Sequence, residues 1–510
     1  MRLMTVIGQA LVGAALLLSI ASGTALADDR AAGMDDYIRE AIKRWDVPGL
    51  AIAVVKDGEV VVARGFGVAE PGTDRAVTAD TVLPIASCTK SFNAACIAML
   101  VDEGKVQWDD PVRKHLPDFK VADPYVTENL TIRDILCHRT GLIRADLMGV
   151  SVASRAEIFQ RLQYVEQAEP FRTKVTYNNV LTAVIGEIIH KKSGLSWREF
   201  LEQRVFKPLE MTSTWTDSSQ VPAERMAIRQ EYRNGKLHPV RLEPDLTPEA
   251  GGIYSSVNDM TKWLLLQLGE GEFNGQRLIS QASMREMHAM HVAYPIKRPL
   301  GQERYYSKMA GEGLGWLIRE YRGRKVVSHD GSSGAHVVFV PEEKLGIVVL
   351  TNRDWNSLCA MLWYDAIDAF IDSPQSAWSL NKSWEFWLPL DGRVWGDRDH
   401  REQLEQLTAT RKKETQPSLP LGAYAGTYSS KLYADVVVTV VEGRLRLKFG
   451  PYSGPFEHWD TDSFYARDFV NSNIDWLVKF EVSNGKATGF EITHVGWKYL
   501  NERFVFRRAE

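Results

Sequence analysis

With 510 residues, 45% hydrophobic and 25% charged, the chain can bury a large core and exceeds what one compact domain usually holds, so two domains are expected. A formal charge of -4 and a pI near 6.3 leave no basic surplus to neutralise phosphates, which argues against nucleic acid as a partner. Glycine and proline contents are ordinary and no internal repeat is visible, which excludes collagen-like and solenoid architectures.

From the N-terminus, Arg2, the apolar run Val6 to Ala21 and the small-x-small step Ala25-Leu26-Ala27 form an export signal over residues 1–27, cleaved before Asp28 and Asp29. The run falls short of the ~20 residues a span prefers, so the expected product is periplasmic or secreted, with no permanent membrane span. Export to an oxidising compartment draws attention to the cysteines. Cys88 and Cys96 lie on one expected helix, about 12 Å apart at ~1.5 Å per residue, and cannot bridge. Any disulfide would need Cys137 or Cys359, and scattered buried thiols are the expected state. Their spacing matches no zinc pattern, and no metal or other cofactor is expected.

Met34, Tyr37, Ile38, Ala41, Ile42 and Trp45 recur at helical spacing until Pro48-Gly49. Leu50 to Val55 and Val60 to Phe66 predict two strands joined by a Lys-Asp-Gly-Glu turn. A second helix is expected from Ser87 through Met99 to Gly104, and a short one over Thr131 to Cys137, opened by a Thr-x-x-Asp box. Leu181, Val184, Ile185, Ile188 and Ile189 form another apolar stripe, and capping boxes at Ser196 to Glu199 and Ser256 to Asp259 open two more helices. Strand-like runs return at Lys325 to Ser328, His336 to Val340 and Leu345 to Thr351, before a closing helix from about Ser357 to Ile371. Strands at both ends with helices between predict an α/β (α+β) domain over 28–372, one antiparallel sheet flanked by helices and a helical subdomain. Residues 373–420, rich in Trp, Pro and charge, predict a linker. Leu445, Leu447 and Phe449 alternate with Arg444, Arg446 and Lys448, and Asn484-Gly485 predicts a hairpin, so 421–510 reads as a small all-β, barrel-like domain.

Ser87-Cys88-Thr89-Lys90 places a hydroxyl and an amine one helical turn apart on one face, where they can touch. At a helix N-terminus, free backbone N–H groups and the helix dipole also favour an attacking oxygen and the oxyanion it creates. The ordinary alternative is an N-cap serine and a solvated lysine. As bare patterns the motifs say little. Ser-x-x-Lys also occurs at Ser379 to Lys382 and Ser483 to Lys486; Tyr-x-Asn occurs at Tyr177 to Asn179, Tyr232 to Asn234 and Tyr499 to Asn501; His-x-Gly occurs at His329 to Gly331 and His494 to Gly496. Context separates them: Ser379 lies in the linker, and Ser483, His494 and Tyr499 crowd into the terminal hairpin. Ser87 instead opens a helix after a hairpin, Tyr177 and Asn179 lead into an apolar helix, and His329 ends a strand-like run.

The order Ser-x-x-Lys, Tyr-x-Asn, His-x-Gly, with the segment Thr131 to Leu142 and the glycine turn Gly251 to Ser256, resembles the three-motif active site of the class C β-lactamase and penicillin-binding protein superfamily. The resemblance covers roughly residues 30 to 372, and the terminal domain is similar to the lipocalin-like domain often appended to such hydrolases. It implies a β-lactamase/transpeptidase-like fold and a serine hydrolase in which Ser87 attacks a carbonyl to form an acyl-enzyme that water releases. It implies Lys90 or Tyr177 as the base. Lys90 serves only if neutral, which requires its pKa to fall by about 3, or ~4 kcal/mol. Tyr177 serves as a phenolate, or as donor to the leaving group. The resemblance further implies that Asn179 holds Lys90 and the substrate amide, that His329 and Gly331 form the third motif, and that the N–H groups of Ser87 and Ser332 receive the oxyanion.

The third motif departs from the β-lactamase pattern. A lysine there offers a substrate carboxylate a permanent charge, whereas His329 is charged only in part near neutral pH and Asp330 makes the place less positive. The resemblance associates histidine at this position with esterases, D-amino-acid peptidases and amidases. A hydrolase of amides or esters, acting on a small molecule or peptide, is therefore expected ahead of a β-lactamase or D-Ala-D-Ala carboxypeptidase. A non-catalytic penicillin-binding-type receptor is the further alternative, and would be expected to have lost one of these residues. Gly331-Ser332-Ser333-Gly334 has the wrong spacing for Gly-x-Ser-x-Gly, and His288 and His291 lack the acidic cluster of a metallohydrolase. The loops at 143–177 and 290–306 are expected to set the substrate, while the appended domain covers the cleft or mediates assembly; oligomeric state stays open.

Overall fold

The computed structural model describes residues 29–233, 235–240, 246–295, 307–372, 378, 383–467, 469, 475–495 and 504–509. The export segment, Ser379 to Lys382, Asn234, Gly496 and Tyr499 to Asn501 lie outside the described residues.

Eight antiparallel strands form the main sheet, in the order 292–293, 310–312, 317–321, 324–331, 335–340, 345–351, 49–56 and 59–67. The two ends of the domain's sequence meet in it, with Leu50 opposite Thr351 and Lys56 opposite Leu345. Successive side chains of a strand point to opposite faces, and both faces are covered here. Ala51, Ala53 and Val55 enter the core beneath the Thr89–Asp102 and Val257–Leu268 helices. Leu50, Ile52 and Val54 instead join Met34 and Tyr37 of the first helix and Trp363 of the Leu358–Ile367 helix. Burial on both faces is why this strand reads as an unbroken apolar run.

Thr89–Asp102 is the central helix. Every residue from Thr89 to Leu100 is buried, and Phe92 stacks on Trp263 with ring centroids 3.9 Å apart. Around it lie Ile132–Leu136, opened by the reciprocal Thr131–Asp134 capping box, and Thr182–Ser193, closed by Gly194 at φ 77°. The Ser196 box also forms. The Ser256 box closes one way only: Ser256 accepts from the Asp259 N–H, but the Asp259 carboxylate is drawn to Ser213 N–H and Thr214 Oγ1. All four cysteines are buried and free.

The stretch expected as a linker carries structure of its own. Ser383–Trp387 and Gly392–Thr410 are helical, Trp384 lies edge-on to Trp45 in the second core cluster, and Asp391 forms a fully buried ion pair with Arg353. Trp384, Trp387 and Leu388 do keep helical spacing, but for little more than one turn before Pro389, too short a run to stand out as a helix in the sequence pattern. Beyond it, eight strands from Gly426–Ser429 to Phe504–Arg508 close into a barrel. Leu445, Leu447 and Phe449 face inward and Arg444, Arg446 and Lys448 outward, while Asn484 at φ 50° and Gly485 at φ 72° make the hairpin turn. Trp476, Phe480, Phe490 and Phe506 help fill the barrel interior. Arg161 of the sheet-and-helix domain donates from Nη1 to the carbonyls of Ser430, Lys431 and Tyr433 at 2.8, 3.1 and 2.8 Å, joining it to the barrel.

Candidate active site

The turn that carries Ser87 is held from both sides. Leu83–Pro84 pairs with Tyr254–Ser255, and Ile85 N–H donates to Ile253 O at 3.0 Å, so the glycine turn lies against the chain entering the central helix. Ala86 has φ 43°, a left-handed conformation that a Cβ disfavours by roughly 1–2 kcal/mol. Ala86–Cys88 then makes one 3-10 turn before the helix proper. Ser87 N–H sits in this first turn, where no carbonyl of its own helix can reach it.

One turn on, Lys90 is 2% exposed; its Nζ lies 3.3 Å from Ser87 Oγ and donates to Ala250 O at 2.6 Å. Tyr177 Oη donates to Ser87 Oγ at 2.9 Å. The hydroxyl therefore sits between an amine and a phenol that arrive from different elements.

The third motif forms the facing wall. The 317–321 strand begins pairing with Leu317 opposite Ser328, whereas the 335–340 strand continues to Ala335 opposite Gly331. His329, Asp330 and Gly331 thus have a strand on one side only, an open edge to which an extended substrate backbone can add. A Cβ on Gly331 would run into the Ile85 carbonyl oxygen, so only glycine lets the strand end meet the nucleophile turn. Ser333 Oγ donates to Pro84 O at 2.7 Å and Cys88 Sγ to His329 O at 3.2 Å, tying the same segments together. Ser332 N–H makes no hydrogen bond among the described residues, while Ser332 O accepts from Trp355 N–H at 3.0 Å.

Burial pushes the Tyr177 phenol well above its ordinary pKa, outweighing the Ser87 hydrogen bond, with the nearby Glu312 charge adding to the rise. Tyr177 is therefore a protonated donor near neutral pH, not a phenolate. Lys90 Nζ and the Arg144 guanidinium lie 4.9 and 5.3 Å from its ring centroid. His329, 4% exposed, is pushed down to about 4, first by burial and then by the Lys90 charge. The partial charge expected of it is corrected to a neutral imidazole, with Nδ1 3.0 Å from Asp330 O.

Asn179 also departs from expectation. Its Nδ2 donates to Asp146 Oδ1 at 3.2 Å, and its Oδ1 is buried without a hydrogen-bond partner, so it does not hold Lys90. Asp146, itself paired with Arg144 at 2.7 Å, presents a charged acceptor that draws the amide away, and Ala250 O takes its place at Lys90. The other motif copies lie elsewhere: Ser483 ends a barrel strand, His494 faces Trp476 and Phe504 in the barrel, and Tyr232 lies under Arg353.

Several neighbours were not legible as site residues. His138, at φ 56° and 3% exposed, places its ring centroid 4.3 Å from that of Tyr177, and burial holds it well below the usual histidine pKa. Arg144, Asp146 and Glu312 come from loops or strand ends with no distinctive pattern. His138 alone had a signal, its place in the Thr131 to Leu142 segment.

Residues 34–367, well over half of the chain, match the family model described as Beta-lactamase. This chain belongs to the beta-lactamase family. Membership carries the family's general chemistry, hydrolysis through an acyl-enzyme on a serine. Residues 410–508 of this family member match a domain of unknown function. An unguisins hydrolase of Aspergillus campestris is 28% identical over 441 residues, covering 80% of this chain and 78% of that protein. Penicillin-binding protein 4 of Amycolatopsis lactamdurans is 30% identical over 323 residues, covering 60% of this chain and 81% of that protein. A beta-lactamase of Escherichia coli K12 is 24% identical over 354 residues, covering 62% and 87%. The octameric penicillin-binding protein homologue from Pyrococcus abyssi shares the fold at a TM-score of 0.57 and 22% identity, covering 93% of this chain and 99% of that one.

Proposed function

We propose that this chain cleaves amide or ester bonds of a small molecule or peptide, with Ser87 as nucleophile. The observation that carries the reading is the placement of Ser87 Oγ between Tyr177 Oη at 2.9 Å and Lys90 Nζ at 3.3 Å. The substrate carbonyl enters beside the N–H groups of Ser87 and Ser332, which receive the oxyanion as the tetrahedral intermediate forms. Lys90, whose charge bears on His329 in the resting site, first gives a proton to solvent and then, as the neutral amine, takes the Ser87 proton as Oγ attacks. Tyr177 gives its own proton to the departing nitrogen or oxygen and is reprotonated from Lys90, so the proton count closes. Water then attacks the acyl-enzyme by the reverse relay. His329 orders the cleft wall as a neutral group, and the site offers no lysine at the third motif for a substrate carboxylate, which supports amides and esters ahead of β-lactams.

We also propose that the chain is exported after loss of residues 1–27, with its hydrolase domain over 28–372 and its terminal barrel domain over 421–510. The test of the activity is turnover of a panel of peptide amides, aryl esters and β-lactams by wild type and Ser87→Ala. Loss of at least about 10³-fold in kcat for the variant is expected. A variant that keeps wild-type turnover sinks the assignment, and turnover of β-lactams alone would reverse the substrate order.

A further inference from the structure

Glu312 is a buried carboxyl group beside the site that the acyl-transfer steps leave unused. It is 3% exposed and sits at the end of the 310–312 strand, opposite Leu317, where the sheet opens beside His329 to Gly331. Tyr294 Oη donates to its Oε1, and no donor among the described residues reaches its Oε2. Burial is the main influence on it and pushes its pKa up to about 7, despite the Tyr294 hydrogen bond and the charges of Arg319 and Lys90. Neither cation is bonded to it. Arg319 leans toward Asp330, at 3.7 Å, and Lys90 Nζ is bonded to Ala250 O. Its charge nevertheless bears on the Tyr177 phenol, which places it within electrostatic range of the reacting serine's partner. A buried carboxyl with one phenol donor and no bonded cation is costly unless something supplies the counter-charge.

The third motif adds a second reason. It presents neutral His329 where a fixed cation would welcome an anionic substrate, and Asp330 carries a negative charge into the same strand end. Asp330 is flanked by Arg319 at 3.7 Å and His336 at 3.2 Å, which leaves Glu312 as the carboxyl group here with no ion-pair partner among the described residues. A protonated amine would meet Glu312 with Tyr294 already holding one oxygen and the other open.

We propose that Glu312, held by Tyr294, is a specificity-determining subsite for a protonated amine of the substrate, close to the carbonyl that Ser87 attacks. The substrate class is then aminoacyl amides or esters with a free amine. This rests on the Ser87 acylation reading and narrows it.

The test uses the full chain and two matched substrates, an aminoacyl p-nitroanilide or p-nitrophenyl ester with a free amine and its N-acetyl counterpart. Wild type is expected to favour the free amine in kcat/KM by about tenfold or more, the scale of one charge-assisted hydrogen bond. Glu312→Gln, close in shape, brings the ratio of kcat/KM for the two substrates down to about one, whatever change in rate the two share through Tyr177, and Tyr294→Phe weakens the ratio in the same direction. Equal loss on both substrates would mark Glu312 as structural or as a modulator of Lys90, and overturn the proposal. So would wild-type preference for the N-acetyl compound, or a preference unchanged in Glu312→Gln. Labelling of Ser87 by a small neutral aryl ester is read in parallel: labelling without amine preference refutes the subsite alone, whereas absent labelling refutes the acylation reading and the subsite with it.

Discussion

Tyr177 reaches Ser87 as a donor because burial keeps its phenol protonated. Tyr177→Phe is therefore expected to lower kcat by roughly 10²–10⁴, the range of a lost proton-transfer group, with an unchanged thermal midpoint. Pre-steady-state kinetics place the loss in acylation; a fall in KM alone would contradict the role. His329 gives a prediction of opposite kind, about stability. Its folded pKa of about 4 lies below the ordinary 6.5, so the folded state binds the proton less readily than the unfolded chain. The contribution is present in full above pH 6.5 and is lost as pH falls through about 4. It amounts to roughly 3 kcal/mol at most. His138 and His288 are depressed too, so the comparison is with His329→Asn, whose denaturant midpoint is expected to fall less between pH 7 and pH 4.5. Parallel curves for the two proteins would count against a buried neutral His329.

At the scale of elements, the site is a meeting of three segments that the sequence places far apart. The Ser87 helix, the loop before Thr182–Ser193 and the end of the 324–331 strand were each legible, because hydrophobic period and capping residues report local structure. What joins them was not, since a close approach leaves no periodic trace. Gly331 shows this: in sequence it is one letter of His-x-Gly, whereas in the fold it clears the Ile85 carbonyl. Gly331→Ala is expected to destabilise by about 1–3 kcal/mol and to cut kcat by moving the nucleophile turn from the strand end. A thermal melt and steady-state kinetics check both, and wild-type values in each would refute the close approach. The expected Asn179–Lys90 contact is not formed for a related reason. The role of Asn179 was inherited from a motif, but its hydrogen bonds are decided by Asp146, a loop carboxylate whose position no spacing rule encodes. The 383–410 helices were missed because the apolar spacing of Trp384, Trp387 and Leu388 lasts little more than one turn, and the buried Arg353–Asp391 pair leaves no periodic trace.

Across the whole molecule, the barrel touches the segment that reaches the cleft. Arg161 binds three barrel carbonyls, Ala434 N–H donates to Ser151 Oγ at 3.4 Å, and the same run of chain begins with Arg144 and Asp146 beside Tyr177 and Asn179. Arg161→Ala is expected to raise hydrogen exchange about tenfold or more in 430–434 and 148–161 together, as the two sides of one interface loosen. Faster exchange on one side alone would show that the contact does not couple them. The central claim, that Ser87 carries the acyl group, is tested most directly by the intact mass of the whole chain after brief reaction with a slowly released aryl ester. The account predicts one added acyl mass, mapped to the peptide bearing Ser87 and absent in Ser87→Ala. An adduct that persists in that variant, or maps to any other residue, would contradict it.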